Sequence, residues 1–177
     1  AAGFDAAAVE RAAQALGRSE RPVIVAGGGA LSAGVWEDLQ RLAEALEAPV
    51  IMTQNGRGVV SDHNYLAQIP SAGPHLLPQA DVVLAVGTRF LTQAAQLAQA
   101  GTKPTVIHLD IDSAEIGKLR HADVPVVGPL KQILHDITGG GFVGEGASSQ
   151  VTVTWTDNAN EASYSLERGT DGVNFSM

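Results

Sequence analysis

The 177 residues are 45% hydrophobic and 17% charged, the composition of a globular domain with room for a short appendage. A formal charge of −8 sets the chain against nucleic acid and anionic membrane surfaces, because both would repel it and no basic run offsets the balance. The absence of cysteine excludes disulfides and thiolate chemistry. No basic-then-apolar leader is present, and no apolar run approaches the ~18 residues that span a bilayer, so a soluble, cytoplasmic protein is expected.

In chain order, Val9, Ala12, Ala13 and Leu16 recur at helical spacing behind Phe4, with Asp5 as N-cap and Gly17 as stop. Strands and helices then alternate. RPVIVA (21–26), APVIMT (48–53), ADVVLAV (80–86), PTVIHLD (104–110) and ADVPVVG (122–128) are short, β-branched and nearly continuously apolar, as in strands buried on both faces. YLAQI (65–69) is a candidate sixth strand. Helical segments are read at 35–46, 73–80, 92–100, 113–119 and 129–137. This alternation predicts right-handed βαβ units and an α/β fold, a doubly wound six-stranded parallel sheet of Rossmann-like type.

The composition changes after Ile137. TGGGFVGEGASSQ (138–150) is rich in glycine and serine, as linkers are. VTVTWTD and SYSLERG beyond it alternate at period two, and the Asp-Gly pair in TDGV predicts a C-terminal β-hairpin joining SLERG to VNFSM. The expected organisation is an α/β domain over 1–138, a linker over 139–150 and a β segment over 151–177.

The stretch VIVAGGGALSAGVWEDL (23–39) carries an apolar strand into three glycines and then a helix. The dinucleotide fingerprint requires a third glycine at the sixth position of the turn, where Ser32 stands, so a phosphate cradle and a tight corner are both open readings. With the common strand order 3-2-1-4-5-6, Gly27, Gly28 and Gly29 face the loop of Gly87, Thr88 and Arg89 across the point where strand order reverses. Arg89 suits a diphosphate, and the carboxylates of LDID (109–112) stand next to it, within reach of a ribose diol. Each has a plainer reading: Arg89 as a surface ion pair, Asp110 or Asp112 as a cap for a helix near Ser113.

Other chemistries lack their motifs. His63, His75, His108, His121 and His135 show no zinc spacing, and neither a GxSxG nucleophile turn nor a GxxxxGK[ST] phosphate loop occurs. No catalytic residue and no metal ligand is assigned, and an NAD enzyme built on the glycine turn would lack an acid, base or nucleophile beside it.

APVIMTQNGRGVVSDH, ADVVLAVGTRF and VIHLDIDSAEIGKLRHADVPVVGPLKQIL resemble the central domain of thiamine-diphosphate-dependent enzymes, the group of acetolactate synthase, benzoylformate decarboxylase and oxalyl-CoA decarboxylase. The resemblance spans residues 5 to 138. It implies a six-stranded parallel sheet lying between pyrimidine-binding and diphosphate-binding domains, holding FAD or ADP in some members and nothing in others. Carried over by motif, Gly27, Gly28, Gly29, Gly87, Thr88 and Arg89 meet the diphosphate, Asp110, Ile111 and Asp112 the adenosine end, and Asp123 and Val124 the adenine edge. GTRFLTQ departs from the two aspartates and arginine that follow this loop in acetolactate synthases, so the resemblance favours ADP over FAD.

The family's GDG motif with its later asparagine is missing, so thiamine diphosphate and Mg²⁺ belong to a parent enzyme and not to these residues. VTVTWTDNANEASYSLERGTDGVNF resembles the B and C strands of a fibronectin type III module, with Trp155 as its core tryptophan faced by Tyr164 and Leu166, which would make the chain a chimera. Incomplete sandwich edges predict self-association into a dimer through this segment or through exposed domain faces. The resulting expectation is a non-catalytic central domain with an adenine-nucleotide crevice, or a purely structural domain whose crevice stays empty.

Overall fold

A computed structural model describes residues 4–139 and three further strands at 153–156, 163–169 and 172–176. The chain divides into two units, Ala1–Ala147 and Ser148–Met177.

In the first unit the apolar runs become β1 (Pro22–Ala26), β2 (Val50–Met52), β3 (Ala67–Gln68), β4 (Val82–Val86), β5 (Thr105–Asp110) and β6 (Val124–Val127). They form one parallel sheet in the order β3-β2-β1-β4-β5-β6, so strand order reverses between β1 and β4 as the sequence predicts. Every residue of β1, β2 and β4 is buried, which explains why these strands read as unbroken apolar runs. At the edge, β6 alternates instead, with Val124 and Val126 buried and Pro125 and Val127 exposed.

The helices are α1 (Ala6–Gly17), α2 (Gly28–Ser32), α3 (Trp36–Leu46), α4 (Gly73–Leu76), α5 (Leu91–Ala100) and α6 (Leu130–Gly139). Leu16 of α1, Leu39 and Leu42 of α3, and Ile133 and Leu134 of α6 share one core with Ile24, Leu84 and Ile107 of the sheet. Val23, Val25, Val83, Ala85 and His108 alternate to the opposite face, towards which α4 and α5 turn Leu76, Ala94 and Leu97. Asp5 caps α1, its Oδ1 accepting the Ala7 N–H at 3.0 Å.

At the N-terminal edge of the sheet, Asp81 accepts hydrogen bonds from the Ser19 hydroxyl (2.5 Å), Glu20 N–H (2.7 Å) and Arg21 N–H (3.0 Å). Burial raises the Asp81 pKa, but these bonds and one from Val82 N–H outweigh it and hold the carboxyl below its ordinary value. One carboxylate thus ties the entry of β1 to the entry of β4.

Three expectations are corrected. Residues 113–117 form turns and 118–120 a bend, not a helix: Gly117, at φ +72, leaves the helical region, and its N–H points to His108 Nδ1 at 3.4 Å instead of to the preceding turn. Residues 73–80 form only the single turn of α4 between 3₁₀ turns at Pro70–Ala72 and Leu77–Gln79, since Pro70, Pro74 and Pro78 carry no N–H. The glycine turn itself winds into α2, a short helix where the sequence suggests a loop.

In the second unit β7 (Val153–Thr156), β8 (Ser163–Gly169) and β9 (Gly172–Ser176) form an antiparallel sheet in that order. The expected hairpin is the β8–β9 pair, with Gly169 opposite Gly172, and β7 adds a strand whose register sets Trp155 opposite Tyr164 and Val153 opposite Leu166. The hairpin turn at 170–171 and the linker residues 140–150 lie outside the described residues. Among the described residues no helix is long and apolar enough to cross a membrane.

Candidate functional site

A cleft of about 760 Å³ opens at the carboxyl ends of the strands, in the size range of small-molecule sites. Its walls come from the 27–29 turn, residues 52–55 after β2, residues 68–70 after β3, residues 87–93 after β4, and Asp110 at the end of β5. Five neighbouring strand ends about 4.8 Å apart make it roughly 19 Å long.

The glycines answer to packing first. A side chain on Gly27 would press on the carbonyl oxygen of Gly87 and lie 2.6 Å from Thr88 Cβ, and one on Gly29 would lie 2.9 Å from Gly87 Cα. Gly29 N–H donates to Gly87 O at 2.9 Å, and Gly87, at φ +53, has its own Cβ direction filled by Ala30 N. The two loops that flank the reversal point are therefore in backbone contact, and glycine is required there whether or not a ligand binds.

The open chemistry lies one residue further on. Arg89 is exposed on the cleft wall, and none of the described carboxylates pairs with it. Phe90 follows in the left-handed region at φ 56, its ring buried and tilted against the His108 ring with centroids 6.3 Å apart. For a bulky side chain this conformation is strained, and it turns the chain from β4 into α5. Phe90 gives α5 no side-chain cap, so the amides of Leu91, Thr92 and Gln93 have no acceptor among the described residues, and all three residues line the cleft. An uncapped helix start beside an arginine is a favourable environment for an anion.

His108 holds this loop from below. It is 2% exposed, its Nε2–H donates to Thr88 O at 2.9 Å, and its Nδ1 accepts Gly117 N–H. That pairing assigns the neutral tautomer with the proton on Nε2. Burial lowers its pKa and outweighs the Thr88 carbonyl and the Asp110 and Glu115 carboxylates, which pull it up.

Of the residues singled out from sequence, Gly27, Gly28, Gly29, Gly87, Thr88, Arg89 and Asp110 come together on the cleft. The others do not. Ile111 is 72% exposed and, like Asp112, lies off the cleft lining, while Asp110 Oδ1 and Asp112 Oδ1 each accept a backbone N–H two residues on. Asp123 and Val124 sit at the opposite end of the sheet. Asp123 Oδ2 accepts Val106 N–H at 2.8 Å and borders a separate hollow with Thr102, Lys103 and Arg120. Val124 is buried and pairs with Ile107. The residue level with Asp110 on β6 is Val127, so Asp123 and Val124 are not brought to this cleft.

Sequence reading passed over Asn55, Arg57, Ile69, Phe90 and Gln93, all on the cleft. In sequence the 53–57 loop carries only its family resemblance, and Gln93 reads as an ordinary polar residue of a helix. No group of three or more His, Asp or Glu side chains among the described residues is placed to hold a metal ion.

The family described as thiamine pyrophosphate enzyme, central domain, matches residues 9–137. Over 136 residues, 73% of the chain, it is 38% identical to the probable acetolactate synthase large subunit of Methanocaldococcus jannaschii and 37% identical to the acetolactate synthase of Mycobacterium bovis. It is 35% identical to the acetolactate synthase isozyme 3 large subunit of Escherichia coli, again over 136 residues. The matches cover 23%, 22% and 24% of those proteins, so the chain spans less than a quarter of the length of each.

Proposed function

Because the chain belongs to the thiamine pyrophosphate enzyme central-domain family, we propose that it serves as the non-catalytic α/β layer of a thiamine-diphosphate-dependent enzyme and that its cleft takes an adenosine-diphosphate-bearing nucleotide, ADP or FAD. The observation that carries this reading is Arg89, a guanidinium on the cleft wall that none of the described carboxylates pairs with, beside the start of α5, where Phe90 supplies no side-chain cap. In a chain of net charge −8, a cation and helix-start amides without a partner among the described residues, set at a strand-order reversal, are the arrangement a diphosphate uses. Asp110 stands at the end of the same cleft, with one carboxylate oxygen bound in a local turn. Acetolactate-forming chemistry of the kind named for the relatives, if the parent protein performs it, would need residues that are not in this cleft.

The experiment is calorimetric titration of ADP and FAD into the wild type and Arg89→Ala. Losing a charge-assisted bond to phosphate should weaken binding tenfold to a hundredfold, about 1.5–3 kcal/mol. Because Arg89 is exposed and pairs with none of the described carboxylates, the melting temperature without ligand should stay within a degree. A mutant that binds ADP normally but melts markedly lower would make Arg89 structural and remove the site.

A second reading, a structural domain with an empty crevice, is favoured by one observation. The Cβ directions of Gly27, Gly29 and Gly87 are filled by protein, so the glycine turn is explained without a ligand. The same titration decides, since wild type would then bind neither nucleotide.

A further inference from the structure

A second hollow, of about 490 Å³, lies at the other end of the sheet from the cleft, where α5 ends and β5 and β6 begin. Thr102, Lys103, Arg120 and Asp123 supply its polar wall, and Leu97 and Pro104 an apolar one. Its size suits a small organic molecule.

The polar groups of this wall are not matched within the protein. Thr102 Oγ1 is buried and has no hydrogen-bond partner among the described residues, a state that folded proteins seldom keep without a reason. Lys103 makes neither an ion pair nor a hydrogen bond with a described residue, although carboxylates outnumber cations in the chain. Arg120 Nη2 donates to Thr102 O at 3.1 Å, which fixes the guanidinium against the wall, and none of the described carboxylates takes up its remaining donors. Hydroxyl, ammonium and guanidinium can all donate. What the hollow lacks is an acceptor.

Charge narrows the class of that acceptor. Lys103 and Arg120 bring two positive charges and Asp123 one negative, its Oδ2 held by Val106 N–H at 2.8 Å. With His121 on the rim counted neutral, one positive charge is left unbalanced. A monoanion balances it, whereas a multiply charged phosphate overshoots and sets its excess charge against Asp123. A carboxylate also matches the planar fork of arginine, and the wall of Leu97 and Pro104 takes an aliphatic chain.

We propose that this hollow is a second ligand site, independent of the cleft, that takes a small aliphatic monocarboxylate. The carboxylate lies between Lys103 and Arg120 and accepts the Thr102 hydroxyl, and its chain lies on Leu97 and Pro104.

Amide-detected NMR titration of the full chain tests this with butyrate, its neutral isostere butyramide, and inorganic phosphate. Butyrate should shift the amides of residues 101–103 and 120–123 saturably, leave residues 27–30 and 87–93 unmoved, and bind more tightly than phosphate. Butyramide should give no saturable shift. Lys103→Gln should melt as the wild type does and weaken butyrate roughly tenfold, the loss of one charge-assisted bond. Thr102→Val, which removes only the hydroxyl, should weaken it roughly fivefold without lowering the melting temperature. No saturable shift, equal shifts from butyramide, tighter binding of phosphate, or butyrate binding that either variant leaves unchanged overturns the proposal. None of these outcomes bears on nucleotide binding in the cleft.

Discussion

Gly87→Ala should destabilise the fold by about 3–5 kcal/mol, enough to lower the melting temperature by roughly 10 °C or abolish folding. Two costs add at this position. At φ +53 any side chain is strained, worth about 1–2 kcal/mol, and the new Cβ would lie 2.6 Å from Gly29 C and press on Ala30 N. Backbone on both sides leaves nothing flexible to yield. Gly101 separates the two costs, because its φ is +68 yet a Cβ there would have nothing within 4 Å. Gly101→Ala should therefore cost about 1–2 kcal/mol. Chemical denaturation of the pair measures the interlock as their difference. Equal losses would mean that the loops after β1 and β4 are not in backbone contact.

Acid should weaken the first unit in two separable stages. His108 has a folded pKa below its ordinary 6.5, so the unfolded chain takes the proton first as pH falls. Its contribution is complete above pH 6.5 and is lost as pH drops below that value, at about 1.4 kcal/mol for each unit by which the pKa is lowered. Protonation also places a second N–H against Gly117 N–H, so the 111–119 turns and the Arg89 loop should loosen together. Asp81 acts in the same direction at lower pH. Its folded pKa lies below 3.8, and its contribution is present above 3.8 and lost as pH falls through that value to the folded pKa. Urea melts from pH 8 to pH 3 should show the first stage in wild type and lack it in His108→Asn. Asp81→Asn should be weaker at pH 7 by about 1–3 kcal/mol, since it impairs bonds to Ser19, Glu20 and Arg21. A flat profile between pH 8 and 5 in wild type would show that His108 is not held neutral by burial.

The sheet was legible because burial on both faces leaves a direct trace: β1, β4 and β5 are the apolar runs 22–26, 82–86 and 105–110 within one or two residues of where composition placed them. Strand order followed from the general rules of parallel sheets, and with it the meeting of the 27–29 and 87–89 loops. What escaped was decided by side-chain hydrogen bonds to the backbone and by backbone angles. Residues 113–117 look helical locally, but Gly117 turns into the left-handed region and gives its N–H to His108. Asp123 looks like a site carboxylate by motif, but strand direction puts it at the amino end of β6, where it holds Val106 N–H. Gln93 left no trace in a one-dimensional reading, because its character depends on which face of α5 meets the cleft. Phe90 likewise looks like any core aromatic until its φ of 56 is known.

The most direct test of the central claim is backbone amide hydrogen exchange on the whole chain with and without saturating ADP. If the cleft at the strand ends is the nucleotide site, protection should rise at residues 27–30 and 87–93 and at Asp110. The hollow around Thr102, Arg120 and Asp123 should exchange as before. Unchanged exchange at millimolar ADP and FAD, or protection confined to that second hollow, would contradict the account.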